Sequence, residues 1–145
     1  MTEFDATRFD QLVASVKTKP ADELVAEIQT SDGGIDGVLQ QVFAGMAGAF
    51  LPDKAVGQEA VVQYEVSGPD GTHPYWMRIA DGACVFESGT TENPKATLRI
   101  GLADFLRLIA GTLNPMQALM TGKLKVQGDL FFLQTMQNWF ERPGS

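Results

Sequence analysis

The sequence contains one cysteine and one histidine, and its apolar runs are too short to cross a bilayer. Because Cys84 stands alone, no internal disulfide can form, which fits a reducing compartment. Protein zinc sites use several Cys or His ligands, so this composition predicts no metal site. The sequence also lacks the glycine motifs that hold phosphates or dinucleotides, and we expect no cofactor.

Positive charge is scarce as well, since 11 Lys and Arg stand against 18 Asp and Glu, for a formal net charge of −7. Nucleic acid binding needs clustered Lys and Arg, so no nucleic acid partner is expected. The same deficit disfavours anionic membrane surfaces. Residues 1–5 lack the basic and apolar pattern of a signal peptide, and residues 142–145 are not a peroxisomal address. We therefore expect a cytoplasmic protein without stable membrane insertion.

Apolar residues at helical spacing predict one long helix over residues 35–50. Ser31 or Asp32 is expected to cap its start, and Pro52 to end it. Residues 1–34 carry two shorter stripes and predict a helical appendage, which leaves 35–141 as the main domain. The stripe of the long helix consists of Ile35, Val38, Leu39, Val42, Phe43, Met46 and Phe50.

From residue 58 to residue 100 the apolar period changes to two, which predicts four strands. Asp81 and Gly82 form a two-residue hairpin turn, and we expect an antiparallel meander. The last third predicts two short helices, a fifth strand over 123–127 and a final helix that begins at Asp129. Helices, a meander and further helices with one strand make an α+β fold.

No catalytic residue is predicted, because no constellation of nucleophile, acid and base is recognisable. His73 lies at the edge of the first hairpin, where a solvated strand residue is expected more often than a general base. Cys84 lies at strand spacing and is read as a small buried apolar residue. We expect that the protein is not an enzyme.

The carboxylates of the helices fall mainly on polar stripes, where a solvated face explains them. Glu65 and Glu87 lie on strands, and cross-strand pairing with Arg78 or Arg99 gives them a structural role. Near the C-terminus, Met and aromatic side chains are abundant, and the last helix is apolar on more than one face. An ordinary core is the commoner explanation of such residues, and the surplus also suggests a bound apolar ligand.

The segments 96–100, 104–106, 111–115 and 120–129 read ATLRI, DFL, GTLNP and MTGKLKVQGD. In order and spacing they resemble the C-terminal signature of sterol carrier protein type two (non-specific lipid-transfer) domains. The resemblance covers residues 35–141. It implies a five-stranded, mostly antiparallel sheet, covered by helices that enclose an apolar tunnel for fatty acids, acyl-CoA, sterol-like or isoprenoid lipids.

The same resemblance implies which side chains contact the hydrophobic ligand. They are Phe43, Met46, Phe105, Leu106, Ile109, Leu113, Met116, Met120, Leu130 and Phe132. The missing peroxisomal address favours a cytoplasmic protein of bacterial style. A second interpretation stays open, namely a non-catalytic structural or dimerisation module that acts with a partner enzyme, and the chain is expected to be a monomer or a homodimer.

Overall fold

The structure is a computed structural model that describes residues 6–31 and 33–140. Its elements follow the predicted order, with six helices, one short 3-10 turn at Pro52–Lys54 and five strands. The helices are α1 (Ala6–Thr18), α2 (Ala21–Thr30), α3 (Gly34–Gly48), α4 (Leu102–Ala110), α5 (Pro115–Met120) and α6 (Leu130–Gln137). The strands are β1 (Ala60–Gly68), β2 (Gly71–Ala80), β3 (Ala83–Ser88), β4 (Ala96–Gly101) and β5 (Leu124–Gly128).

The five strands form one sheet in the order β3-β2-β1-β4-β5. Asp81 and Gly82 both have positive φ, as the predicted hairpin between β2 and β3 requires. The prediction of a four-stranded meander is wrong at β4, because β4 pairs with β1 in parallel. The segment 89–95 carries the chain back past β1, and a period of two reports only the face of a strand, not its direction. The other three pairings are antiparallel.

Helices cover one face of this sheet, and the rings of Phe43 on α3 and Phe105 on α4 both contact Tyr64 there. On the same face, Met77 and Ile79 of β2 are at most 1% exposed. The opposite face carries polar side chains together with Val61, Trp76 and Val85. It carries an ion pair between Arg99 Nε and Glu65 Oε1 at 3.0 Å, which confirms the predicted pairing for Glu65.

The helical appendage packs on α3 and α4. Its residues Leu24 and Ile28 are 1% exposed and belong to the same core as the sheet. A salt bridge between Lys19 and Glu27 ties the end of α1 to α2. The separation of residues 1–34 from 35–141 as a unit stays a prediction.

The start of α3 differs from its prediction. Gly33, with a φ of 77°, occupies the capping position, and no side chain caps the helix. Ser31 instead donates its hydroxyl to the carbonyl of Glu27, at the end of α2. Asp32 lies outside the described residues. A left-handed turn at Gly33 and Gly34 leads the chain from α2 into α3, and glycine adopts this conformation without a steric penalty.

The structure also corrects the prediction of a solvated His73, because the side chain is only 12% exposed. Its Nδ1 lies 3.0 Å from Asp36 Oδ1, and its Nε2 lies 2.8 Å from Asp70 Oδ1. The hydroxyl of Tyr75 donates to the same Asp36 oxygen at 3.1 Å. We call Asp36, Asp70, His73 and Tyr75 the histidine cluster. It joins the start of α3 to β2 and to the β1–β2 turn.

The histidine cluster predicts a pH-dependent stability. Burial alone would lower the pKa of His73, but its hydrogen bonds to Asp70 and Asp36 outweigh burial and raise the pKa above 6.5. Protonated His73 therefore stabilises the fold, and the effect is complete at pH values below the pKa that His73 has in the unfolded chain. The stabilisation is lost as the pH rises through the pKa that His73 has in the folded protein. Thermal unfolding between about pH 5 and pH 9 should therefore show a Tm advantage over His73→Asn that shrinks with rising pH. A constant difference would contradict the charged cluster.

Gly128 predicts a second test, because it ends β5 with a φ of 100°. A Cβ at this position would lie 2.6 Å from the carbonyl oxygen of Lys95. We expect Gly128→Ala to lower the free energy of unfolding by about 3 kcal/mol. Gly122→Ala is the matched control, since Gly122 also has a positive φ but nothing within 4 Å of the added Cβ, so it should cost about 1 kcal/mol. Equal losses of unfolding free energy for the two variants, measured by urea denaturation, would show that the close approach of Gly128 to the Lys95 carbonyl does not contribute to the cost.

Candidate functional site

The covered face of the sheet is built around the ring of Phe43, which is fully buried. Its centroid lies 4.8 Å from Tyr75, 5.2 Å from Tyr64, 5.5 Å from Phe105 and 5.8 Å from Phe86. Burial raises the pKa of Tyr64 and is also the main cause of the raised pKa of Tyr75, so both phenols stay neutral. Two predicted ligand residues, Phe43 and Phe105, therefore belong to a packed aromatic core.

The other half of the covered face, over β4 and β5, is packed less completely. Leu98 and Val126 lie opposite each other in the two strands and point to the same side as the buried residues of β1. At the strand ends, Ala96, Ile100 and Leu124 are buried, whereas Leu98 and Val126 in the middle are only partly buried. We call these two residues the β4–β5 strip. It is an apolar surface that keeps some access to solvent.

Short helices border the β4–β5 strip. α4 and α6 contact β4, and α5 contacts β5. Three apolar side chains of α4, α5 and their connection, Ile109, Leu113 and Leu119, are also only partly buried, as is Met46 of α3. We take the strip together with Ile109, Leu113 and Leu119 as the candidate site. Everything in it is apolar, so it can hold a hydrocarbon group and offers no acid or base.

The ten predicted ligand residues fall into three groups. Phe43, Phe105, Leu106 and Phe132 are buried, whereas Met46, Ile109 and Leu113 are partly buried. The remaining three are exposed, Leu130 by 41%, Met116 by 48% and Met120 by 81%. Sequence reasoning did not place Leu98, Val126 or Leu119 among the ligand residues. Their alternation or helical spacing identified them as apolar, and no sequence signal distinguishes a partly covered apolar residue from a buried one.

Two concavities of the described surface lie away from the candidate site. One, of about 400 Å³, lies between the Pro52–Lys54 turn and the Asp81–Gly82 hairpin. The other, of about 530 Å³, lies between α2, the β1–β2 turn and the start of α4. Neither is lined by a predicted ligand residue. An enclosed apolar tunnel therefore stays a prediction.

Reactive groups do not gather at the candidate site. Cys84 is partly buried, and burial raises the pKa of its thiol to about 12, so the nucleophilic thiolate is scarce at neutral pH. Both ring nitrogens of His73 are engaged by carboxylates. Across residues 6–31 and 33–140, no three His, Cys, Asp or Glu side chains are grouped to bind a metal ion. Over the same residues, no helix has the length and apolar content that a bilayer span requires.

A family model described as the SCP-2 sterol transfer family matches residues 51–141. Among curated proteins, hydroxysteroid dehydrogenase-like protein 2 of Bos taurus is 26% identical over 94 residues. The matched region is 65% of this chain and 22% of the bovine protein. The chain thus corresponds to about a fifth of the length of that relative.

Solved structures share the fold. The sec-alkylsulfatase Pisa1 from Pseudomonas sp. aligns with a TM-score of 0.62 and 19% identity, over 70% of this chain and 16% of the sulfatase. Palmitated SCP2L2 from Aedes aegypti aligns with a TM-score of 0.58 and 21% identity, over 74% of this chain and 96% of the mosquito protein. At these identities the likeness shows the α+β fold, which confirms the predicted fold class.

The packing contrast between the aromatic core and the candidate site predicts different costs of truncation. Phe43→Ala should lower the free energy of unfolding by about 3–5 kcal/mol, because it removes a fully buried ring from four aromatic contacts. Leu113→Ala should cost about 1 kcal/mol, since this side chain is partly exposed already. Urea denaturation measures both. Similar losses for the two variants would mean that the candidate site is packed as tightly as the core.

Proposed function

Because the chain belongs to the SCP-2 sterol transfer family, as the match over residues 51–141 shows, we propose that it binds hydrophobic ligands over the β4–β5 strip and carries them between membranes or proteins. One observation carries the location: Leu98 and Val126 in the middle of this strand pair are apolar and partly open, whereas Ala96, Ile100 and Leu124 near its ends are buried. A ligand seated there would complete the cover that α4, α5 and α6 leave unfinished. This covered space would be the predicted tunnel.

The energetics of such a site favour long hydrocarbon ligands. Burying one methylene group contributes roughly 0.8 kcal/mol, so eight buried methylenes give about 6 kcal/mol. The residues that face inward from β4 and β5 are Ala96, Leu98, Ile100, Leu124 and Val126, and none is charged. Affinity would therefore follow the apolar area of the ligand rather than a charged anchor, and selectivity among lipids would be low.

Fatty acids, acyl-CoA thioesters, sterol-like lipids and isoprenoids all have a large apolar area that could be buried in this way. The mosquito protein of the solved structure is palmitated, which supports an acyl chain as one member of the set. No step of chemistry is required of the protein, and we propose a carrier without catalytic activity. The raised pKa of Cys84 and the engaged ring of His73 agree with this proposal.

A second candidate function is a non-catalytic module that supports a partner enzyme. The observation in its favour is that the matched region forms only 22% of the bovine dehydrogenase-like protein and 16% of the sulfatase. In that case the chain would support dimerisation or shape the site of a neighbouring catalytic domain, and it would retain no ligand by itself. Extraction of lipid from the purified chain distinguishes the two, because a carrier retains ligand by itself.

A bulky side chain in the strip provides the direct test. Val126→Phe should lower the affinity for a fluorescent fatty acid at least tenfold, because the added ring fills the space over β5. Val85→Phe is the matched control, since Val85 also lies on an edge strand but is 52% exposed and pairs with Arg78 on the open face. Fluorescence titration measures both affinities, and circular dichroism shows that each variant is folded.

If Val126→Phe unfolds, Leu98→Phe replaces it in the same titration, because Leu98 pairs with Val126 and points into the same space. A ligand affinity that stays equal in the folded strip variant and in Val85→Phe would exclude the β4–β5 strip as the binding site. A wild-type protein that binds no fatty acid, sterol or isoprenoid would exclude the carrier function itself.

A further inference from the structure

The charge of the chain is distributed unevenly. Residues 94–140 carry five Lys or Arg and two Asp or Glu, whereas residues 1–93 carry five and fifteen. In the first segment both acids have local roles: Asp104 pairs with Arg107 at 3.5 Å, and Asp129 accepts the N–H of Phe132 at the start of α6. Lys95, Lys123 and Lys125 of the same segment are exposed. A protein of negative net charge thus has one positively charged region.

Exposed apolar side chains concentrate in the same region. Of the six large apolar residues that are exposed in the described chain, four lie on α5 and α6, on either side of β5 along the sequence. They are Met116, Met120, Leu130 and Phe131, and Phe131 is the most exposed at 82%. Lys123 follows Met120 by three residues, and the Lys95 amine lies 4.9 Å from the centroid of the Phe132 ring, next to Phe131. Basic side chains therefore lie close to exposed apolar side chains in this region, both along the sequence and at the Lys95–Phe132 contact.

β5 is an edge strand of the sheet, so its outer backbone groups are not paired within the sheet. Lysines on an edge discourage pairing with another strand, and Lys123 and Lys125 stand at this edge. A second copy added through strand pairing is therefore disfavoured. A bilayer surface is not, because anionic headgroups attract lysine while apolar side chains enter the boundary between headgroups and acyl chains.

We propose that the β5 edge face, made of Lys95, Met120, Lys123, Lys125, Leu130 and Phe131, docks on anionic lipid bilayers. The inference rests on the proposed function for its purpose, since the docked face includes the strand that carries Val126 of the candidate site. A ligand would then pass between the bilayer and the site with little exposure to water.

The negative net charge of the whole chain, taken alone, disfavours anionic membrane surfaces, but it does not prevent docking through one basic face. Electrostatic interactions in physiological salt decay over about 8–10 Å, so a bilayer interacts with the nearest face and not with the total charge. The acidic first 93 residues are repelled at longer range in low salt, which turns the basic face toward the surface. The charge asymmetry would thus determine how the protein is oriented on the bilayer, and the exposed apolar side chains would determine how deeply it enters the bilayer surface.

Vesicle sedimentation tests the proposal on the full chain, with phosphatidylcholine vesicles that either contain or lack phosphatidylglycerol in equal parts. We expect binding only to the anionic vesicles, and a loss of binding at high salt. The double variant Lys123→Glu, Lys125→Glu should lower the partition coefficient more than tenfold, and Phe131→Ser roughly tenfold. The double variant Lys17→Glu, Lys54→Glu, which makes the same change in net charge, and Val85→Ser are matched controls outside the face, and both should bind as the wild type does.

Absent binding to the anionic vesicles would overturn the proposal, and so would equal losses in the variants and their controls. A dimer in light scattering that Phe131→Ser dissociates would assign the face to a second copy instead. Fatty acid titration without vesicles separates this test from the proposed function. If Phe131→Ser binds fatty acid normally but no longer binds vesicles, docking is supported. If no variant affects vesicle binding while the wild type binds fatty acid, the docking proposal fails and the proposed function stands.

Discussion

The packing of Phe43 against the tyrosines of β1 and β2 is the contact on which the rest of the structure depends. α3 contains several glycines, which lower its intrinsic helix propensity, so it needs tertiary packing to be stable. Phe43 supplies that packing to Tyr64 and Tyr75, and through Phe105 it also positions α4. The histidine cluster holds the other end of α3, near Asp36. Together these contacts keep α3 packed on β1 and β2, so that the inward-facing residues of these two strands are buried.

The parallel pairing of β4 with β1 explains why the other half of the sheet, formed by β4 and β5, is covered less completely. It places β4 and β5 on the far side of β1 from β2, where α4, α5 and α6 cover them. These helices have nine, six and eight residues, against fifteen in α3. Short helices bury less apolar area, so Leu98 and Val126 stay partly accessible. The candidate site follows from this difference in cover.

The match to the SCP-2 sterol transfer family covers residues 51–141, which include every helix and strand that forms or borders the β4–β5 strip. The relatives in which the matched region forms 22% and 16% of the length show that the fold also occurs inside larger proteins. A gap of purely apolar character is compatible with both settings.

The sequence by itself determined the order and type of the elements, the α+β class and the apolar face of each strand, because periodicity is a local property of the chain. Tertiary structure decided the parallel direction of β4 and the contact of His73 with Asp36, which lies 37 residues away in the sequence. It also separated buried Phe43 from exposed Met120, although both are apolar and both were predicted to contact ligand. Such outcomes depend on which distant segments meet, and the spacing of residues along one segment contains no record of its partners.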